Sequence, residues 1–280
     1  MKISITGIDD APTLASDFSI MYGKVQAFAQ AAPGRGIVSA LVLLSDDGDE
    51  IDIEWVGVDS EHFQSNYFSK GNTTTWNRGG IHSVSAATSS FHTYTIDWTA
   101  SQIVWSVDGV AVRTLSAASA QGFPSSPSQF KVGSWVAGSP SNSEGTIGWA
   151  GGLANMSQAP FDYFVKGIYI EDYSTGTSRL LARDPEAAEI LRHENQKRDS
   201  DSSSRTTTAA TITAAATETA NPALSPVGPV QNVTLPPVIS NATASASPAV
   251  VTTSAGAQIG CNYLSAGALS AVAVLFITLF

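Results

Sequence analysis

The run from Asp49 to Glu54 reads Asp-Glu-Ile-Asp-Ile-Glu, with acidic and apolar residues in strict alternation from Glu50 onward. Period two marks a β-strand, whose successive side chains leave opposite faces. Glu50, Asp52 and Glu54 therefore share one face, and Ile51, Ile53 and Trp55 share the other. Three carboxylates on one face repel one another and are poor strand formers. A cost without structural return of this kind gathers at functional sites. The chemistry that such a set suits is glycosyl transfer with retention, which needs two carboxyl groups about 5–5.5 Å apart, one as nucleophile and one as general acid/base. The Cα atoms of Glu50 and Glu54 lie about 13 Å apart on a strand rising ~3.3 Å per residue. Long side chains leaning inward over a concave sheet close that gap, and Asp52 between them orients the nucleophile. Crowding also drives the pKa values apart, so that one carboxyl stays protonated while another ionises. Calcium is a competing use of carboxylates at this spacing, but its ligands sit in Gly/Asn-rich loops and here the interleaved residues are isoleucines. No metal and no cofactor is expected. The plain alternative is an acidic, solvent-facing strand of an antiparallel sheet.

The elements that must position this strand read as all-β. Short β-branched and aromatic runs at 36–44, 94–98, 103–107 and 130–135 are separated by Gly, Ser, Asn, Asp and Pro clusters, with no βαβ rhythm. Asp108-Gly109 between two valines is a hairpin signal, because both turn positions demand positive φ. Regular short strands with turn punctuation give a sandwich or barrel. Gln64 and Asn66, two residues apart, share one face of a strand, either to bind a ligand or as a polar outer surface. Asp184 followed by Pro185 reads as the cap and first residue of one short helix over 184–198.

Composition limits the partners. The formal net charge is −10 and no Lys/Arg patch is present, which argues against nucleic acid. An acidic, aromatic-rich domain with few charges suits a neutral ligand such as sugar. Cys261 is the single cysteine, so no intramolecular disulfide forms, and the four histidines are scattered without zinc spacing. His92 reads as structural. From 199 to 253 the chain is Ser, Thr, Ala and Pro with almost no large apolar residue, the composition of a disordered, O-glycosylated stalk. Asn72, Asn155, Asn232 and Asn241 each begin an N-glycosylation triplet. Small residues at 254–256, a short polar spacer and an uncharged apolar stretch from Leu264 to Phe280 follow the order of a GPI-attachment signal, with Ser254 as the attachment residue. A membrane-spanning helix is the rival, although the stretch is slightly short and lacks basic flanks. An anchored protein enters the secretory pathway, yet residues 1–10 contain no leader-like apolar run, so a truncated N-terminus is expected.

Glu50-Ile51-Asp52-Ile53-Glu54 resembles the signature of glycoside hydrolase family 16 in its form without a β-bulge. The stretches 11–18, 22–25, 32–39, 64–71, 92–98, 149–152 and 165–173 are similar to the Crh-type fungal cell-wall chitin–glucan transglycosylases of that family, which carry a GPI anchor behind a Ser/Thr-rich stalk. The resemblance covers about residues 5–175. It implies a β-jelly-roll, concanavalin-like sandwich with a concave cleft, here a catalytic domain over 1–183 that lacks the family's cysteine-bearing N-terminal portion. The short helix over 184–198, the stalk over 199–253 and the anchor signal over 254–280 complete the expected order. By position, Glu50 resembles the nucleophile, Asp52 the auxiliary residue and Glu54 the general acid/base. The strand over 64–68 resembles one lining the cleft, where Gln64, Asn66 and Tyr67 bind sugar, and Trp135 and Trp149 either stack on sugar rings or fill the core. The resemblance further implies an extracellular, membrane-anchored monomer acting on chitin and β-glucan. A hydrolase of the same fold and a lectin-like wall-binding protein without turnover remain open alternatives.

Overall fold

The computed structural model describes residues 1–75 and 77–204. Asn232, Asn241, Ser254, Cys261, most of the expected stalk and the whole terminal apolar stretch lie outside them. Two antiparallel sheets face each other. The first orders β1 (Lys2–Ile5), β12 (Phe161–Asp172), β3 (Gly23–Gln30), β8 (His92–Trp98), β9 (Gln102–Val107) and β10 (Val110–Ser116), with β13 (Thr177–Ala182) also paired to β12. The second orders β2 (Thr13–Ile20), β11 (Ser128–Val136), β4 (Ile37–Ser45), β5 (Glu50–Val56), β6 (His62–Phe68) and β7 (Gly80–Ser83). The runs read from sequence at 36–44, 94–98, 103–107 and 130–135 fall in β4, β8, β9 and β11. The Asp108-Gly109 turn joins β9 to β10 with φ of 48° and 76°, as the hairpin reading required.

The core forms between the sheets from one alternating face of their central strands. Leu41, Leu43, Ile51, Ile53, Trp55, Phe63 and Tyr67 come from the second sheet and Val25, Tyr94, Ile96, Trp98, Trp105 and Tyr163 from the first, all of them buried. Aromatic edges lock the layers. Trp55 meets Tyr94 edge-on with ring centroids 4.5 Å apart, and Phe63 meets the same ring at 5.3 Å. Such contacts contribute roughly 0.5–1.5 kcal/mol each beyond burial.

The chain then runs into α2 (Pro185–Ser204). Asp184 caps it, its carboxylate accepting from Glu186 N at 3.0 Å, and Pro185 takes the first turn as the sequence indicated. Ala187, Leu191 and Phe28 bury together against the outer face of the first sheet. Gly167 on β12 makes room, since a Cβ there would stand 2.9 Å from Leu191. Further along, Asn195 Nδ2 donates to Gln26 Oε1 at 2.7 Å and Lys24 Nζ donates to Asn195 Oδ1 at 3.0 Å. The expected helix is present but longer than read, running to Ser204 rather than 198, and it packs on the folded body. Three anchors at 187, 191 and 195 lie one turn apart on the sheet, and once a helix is held that firmly each added residue costs little.

Candidate active site

β5 is an interior strand, hydrogen-bonded to β4 and β6 along its length in continuous register. Glu50 stands opposite Leu44 and Phe68, Asp52 opposite Val42 and Asn66, and Glu54 opposite Ala40 and Gln64. Ile51, Ile53 and Trp55 are fully buried in the core. The alternation therefore turns all three carboxyls onto the outer face of the second sheet, where Glu50 and Glu54 are half-buried and Asp52 is buried. β5 is not an edge strand, because two paired strands, β6 and β7, lie beyond it. The opposite sheet holds the strand's backbone as well: Trp105 Nε1 donates to Asp52 O at 3.0 Å.

Burial pushes every carboxyl of the set up. Glu54 is driven to about 8, with the charge of Glu50 adding to its burial. Asp52 rises well above the usual carboxylate range, first through burial and then through the charges of Glu50 and Glu54. Glu50 is raised by burial too, but a hydrogen bond with Asp52 and the positive charge of Lys131 pull it back down. Asp52 Oδ1 has no hydrogen-bond partner, which leaves its other oxygen for the bond to Glu50. Within the set, Glu50 alone has causes that pull it down, whereas every cause on Asp52 and Glu54 raises them. A carboxylate and a carboxylic acid on one strand face form the division of labour that retaining glycosyl transfer needs.

The other residues singled out from sequence divide. Gln64 joins the site, its Oε1 accepting from Trp149 Nε1 at 2.9 Å. Asn66 stands beside Asp52 on the same face. Trp135 and Trp149 are both half-buried, with ring centroids 6.3 Å apart and an interplanar angle of 31°. Trp149 ends the short helix α1 (Glu144–Trp149). The segment behind it is drawn to the end of β11 by close backbone packing at Gly138, where a Cβ would meet Gly152 O at 2.5 Å. Tyr67 does not join them. It sits on the core face of β6, 2% exposed, with its hydroxyl on Ser119 Oγ at 3.1 Å. The period that puts Gln64 and Asn66 outward puts Tyr67 inward, so its expected contact with a ligand is withdrawn. His92 is structural as read: Nδ1 meets Asp108 Oδ2 at 2.7 Å and Nε2 meets Ser85 O at 2.8 Å. Asn72 and Asn155 are exposed, and each accepts from the hydroxyl of the triplet's third residue, Thr74 or Ser157.

Two residues were missed. Asp49 has a fully buried side chain that gathers three strands of chain at the head of β5. It accepts from Lys70 N and Ser125 N, each at 2.7 Å, and from Lys70 Nζ at 2.9 Å. Burial alone would raise it, yet the Ser125 amide and Lys70 outweigh that and hold it low. Lys131 is 5% exposed. The cross-strand rows put Val42 beside both Lys131 and Asp52, which aligns the lysine with the carboxyl set. The available signal was the alternation of Lys131, Gly133 and Trp135 against Phe130 and Val132.

Comparison with known proteins agrees with this geometry. The family model of "Glycosyl hydrolases family 16" matches residues 1–151. The chain is 52% identical over 167 residues to Congo red hypersensitive protein 1 of Saccharomyces cerevisiae, covering 60% of this chain and 33% of that protein. It is 50% identical to Crh-like protein CRH11 of Candida albicans, covering 60% and 37% of the two chains. The chain thus spans about a third of the length of these relatives. Among solved structures, a Crh5 transglycosylase in complex with NAG superposes with a TM-score of 0.61 at 46% identity, covering 61% of this chain and 73% of that one. With the family model matching more than half of its length and the carboxyl set in place on β5, this chain belongs to glycosyl hydrolase family 16.

Proposed function

We propose that this chain is a cell-wall transglycosylase that cleaves a β-linked polysaccharide with retention and passes the cut end to a second glycan. One observation carries the reading: Glu50, Asp52 and Glu54 share the outer face of one interior strand, and there burial and the charge of Glu50 push Glu54 up to about 8. In the first step the Glu50 carboxylate attacks the anomeric carbon, the glycosidic C–O bond breaks, and Glu54 gives its proton to the departing oxygen. In the second, an acceptor hydroxyl attacks the same carbon, its proton returns to Glu54, and the bond to Glu50 breaks. Asp52, buried between the two glutamates on the same strand face and held well above the usual carboxylate range, orients Glu50. Gln64 and Asn66 bind sugar hydroxyls beside the reacting bond, and Trp135 and Trp149 offer flat apolar faces to sugar C–H faces.

Chitin is the proposed donor and β-glucan the proposed acceptor. In support, the similar Crh5 transglycosylase was solved with NAG, the repeat unit of chitin. Hydrolysis is the same first step with water as acceptor, so product analysis with labelled oligosaccharide acceptors decides between them: labelled, lengthened products support transfer, and free reducing ends alone refute it. Glu50→Gln provides the test of mechanism. Turnover is lost and glycan binding survives if Glu50 is the nucleophile, and unchanged turnover sinks the assignment. A lectin-like protein would bind glycan and turn over none in either form. The proposed setting is the outer face of the cell, with glycans on Asn72, Asn155, Asn232 and Asn241 and a lipid anchor at Ser254. Release by a phosphatidylinositol-specific phospholipase is the expected sign of the anchor, and retention in the membrane after that treatment contradicts it.

A further inference from the structure

A cavity of ≈230 Å³ opens away from the carboxyl set, where β2 at the edge of one sheet faces β12 and β13 of the other. Its floor is apolar, made by Ile20 and Ile170, both buried. Its rim is polar. Arg179 on β13 stands opposite Ile170 and so shares its face. The guanidinium lies over the Phe18 ring of β2, 4.2 Å from the centroid. Among the described residues that ring is its one partner, and its N–H groups meet neither a carboxylate nor another acceptor. Asp172 braces the turn at the mouth, accepting from Ser174 N at 2.9 Å and from Thr175 Oγ1 at 2.8 Å. Because Thr175 gives its proton to Asp172, the 2.7 Å contact between the hydroxyls of Thr175 and Thr177 is donated by Thr177. Thr177 Oγ1 therefore presents lone pairs to the cavity. The rim thus holds a fork of donors and an acceptor above an apolar floor. Pockets for drug-sized ligands run to about 300–1,000 Å³, so this smaller space suits a single ring. The Asp172 carboxylate in the same wall repels an anion, which favours a neutral occupant.

The cavity lies in line with the carboxyl set. Glu50 stands opposite Leu44, Leu44 opposite Gln129, and Gln129 opposite Ser19, which lines the cavity. Three inter-strand spacings put Ser19 roughly 14 Å from Glu50, and β2 is the edge of that sheet. Glu50 and Glu54 flank the scissile bond from two points along β5, so the polymer itself runs across the strands. A glycan that crosses the sheet in the Glu50 row leaves it over β2. We propose that the cavity is a remote glycan subsite, taking one neutral pyranose of the polysaccharide a few units from the cleaved bond. Arg179 donates to its oxygens, Thr177 accepts from a hydroxyl, and Ile20 and Ile170 lie under its C–H face. The inference deepens the transglycosylase reading and rests on it: long wall polymers gain a hold that short fragments lack.

The test uses the full chain carrying Glu50→Gln, so that glycans bind without being cut, and calorimetry with chitobiose and chitohexaose as probes. Chitohexaose is expected to bind more tightly, because chitobiose held at β5 is too short to reach β2. Adding Arg179→Gln should weaken chitohexaose about tenfold, the size of one hydrogen bond to a charged group, and so remove the gain that length confers. Thr177→Val deletes the acceptor hydroxyl without touching the Arg179–Phe18 stack, and should weaken chitohexaose severalfold; it decides the matter should the arginine variant fail to fold. Chitohexaose with a photoreactive diazirine at one end or the other should mark the peptide of Phe18 to Ile20 or that of Thr177 to Arg179. An unchanged chitohexaose affinity in a folded variant overturns the subsite, and phosphate binding lost in Arg179→Gln would then assign the cavity to an anion. Wild-type turnover is measured alongside. Turnover together with an unchanged affinity in the variants defeats the subsite alone, whereas a chain that neither binds nor cuts any glycan defeats the enzymatic reading with it.

Discussion

Replacing Glu54 by glutamine should stabilise the fold, and only above acidic pH. The folded state holds the Glu54 proton up to about 8 against an ordinary value of 4.5, because burial and then the charge of Glu50 oppose ionisation. A carboxyl whose folded value is raised binds its proton more tightly folded than unfolded. Its contribution is therefore fully present below the unfolded value and is lost as pH rises through the folded one. The interval from 4.5 to about 8 corresponds to at most about 5 kcal/mol at 1.36 kcal/mol per pH unit. Glu54 is only half-buried, so residual hydration reduces this to roughly 2–3 kcal/mol. Glutamine fills the same space with no charge to desolvate, and it also removes one source of repulsion on Asp52. Thermal unfolding of wild type and Glu54→Gln is followed at pH 4.5 and pH 8.5. The two should melt together at the lower pH and separate at the higher by about 4–12 °C, given ~2–4 °C per kcal/mol for a domain of this size. Turnover should fall by about 10²–10⁴ at the same time, as expected for loss of a general acid. A melting difference of equal size at both pH values, or a less stable variant at pH 8.5, would refute the claim that ionised Glu54 is held at a cost.

Three further outcomes follow from named contacts. Asp49→Asn sets an amide N–H₂ against Ser125 N or Lys70 and should cost about 1–3 kcal/mol in denaturant unfolding. Because Asp49 is held below its ordinary value, its contribution is present above that value and lost on acidification, so the deficit should shrink as pH falls toward 3. Trp105→Phe removes the donor to Asp52 O while keeping an aromatic ring in the core, and should lower stability by about 1–2 kcal/mol in calorimetry. Trp149→Phe frees Gln64 Oε1 and should raise KM severalfold with kcat nearly unchanged in steady-state assays, whereas an unchanged KM would detach this pair from substrate binding.

The acidic strand was legible because period two carries its meaning without tertiary context: Ile51, Ile53 and Trp55 had to enter a core, so the carboxyls had to leave it. The Asp108-Gly109 hairpin was legible for the same local reason. Tyr67 was misplaced by giving it the role of its neighbours against the period of its own strand. The end of α2 was misjudged because residues 199–204 are weak helix formers, and nothing local reveals that Ala187, Leu191 and Asn195 would be seated on β3 and β12. Asp49 and Lys131 were hidden for a different reason. The donors to Asp49 come from 21 and 76 positions away in the chain, and Lys131 meets the carboxyl set only through the register of β11 on β4 and of β4 on β5. Charge partners of that kind exist only once the sheet is assembled.

The central claim is a covalent glycosyl intermediate on Glu50. Incubation with a 2-deoxy-2-fluoro β-glycoside of a chitin or β-glucan oligosaccharide, followed by intact mass and peptide mapping, tests it directly. The account predicts one added glycosyl unit, carried by the peptide that contains Glu50 and absent from Glu50→Gln. An unmodified protein that nonetheless turns over substrate with inversion at the anomeric carbon, or an adduct on Asp52 or Glu54, would contradict it.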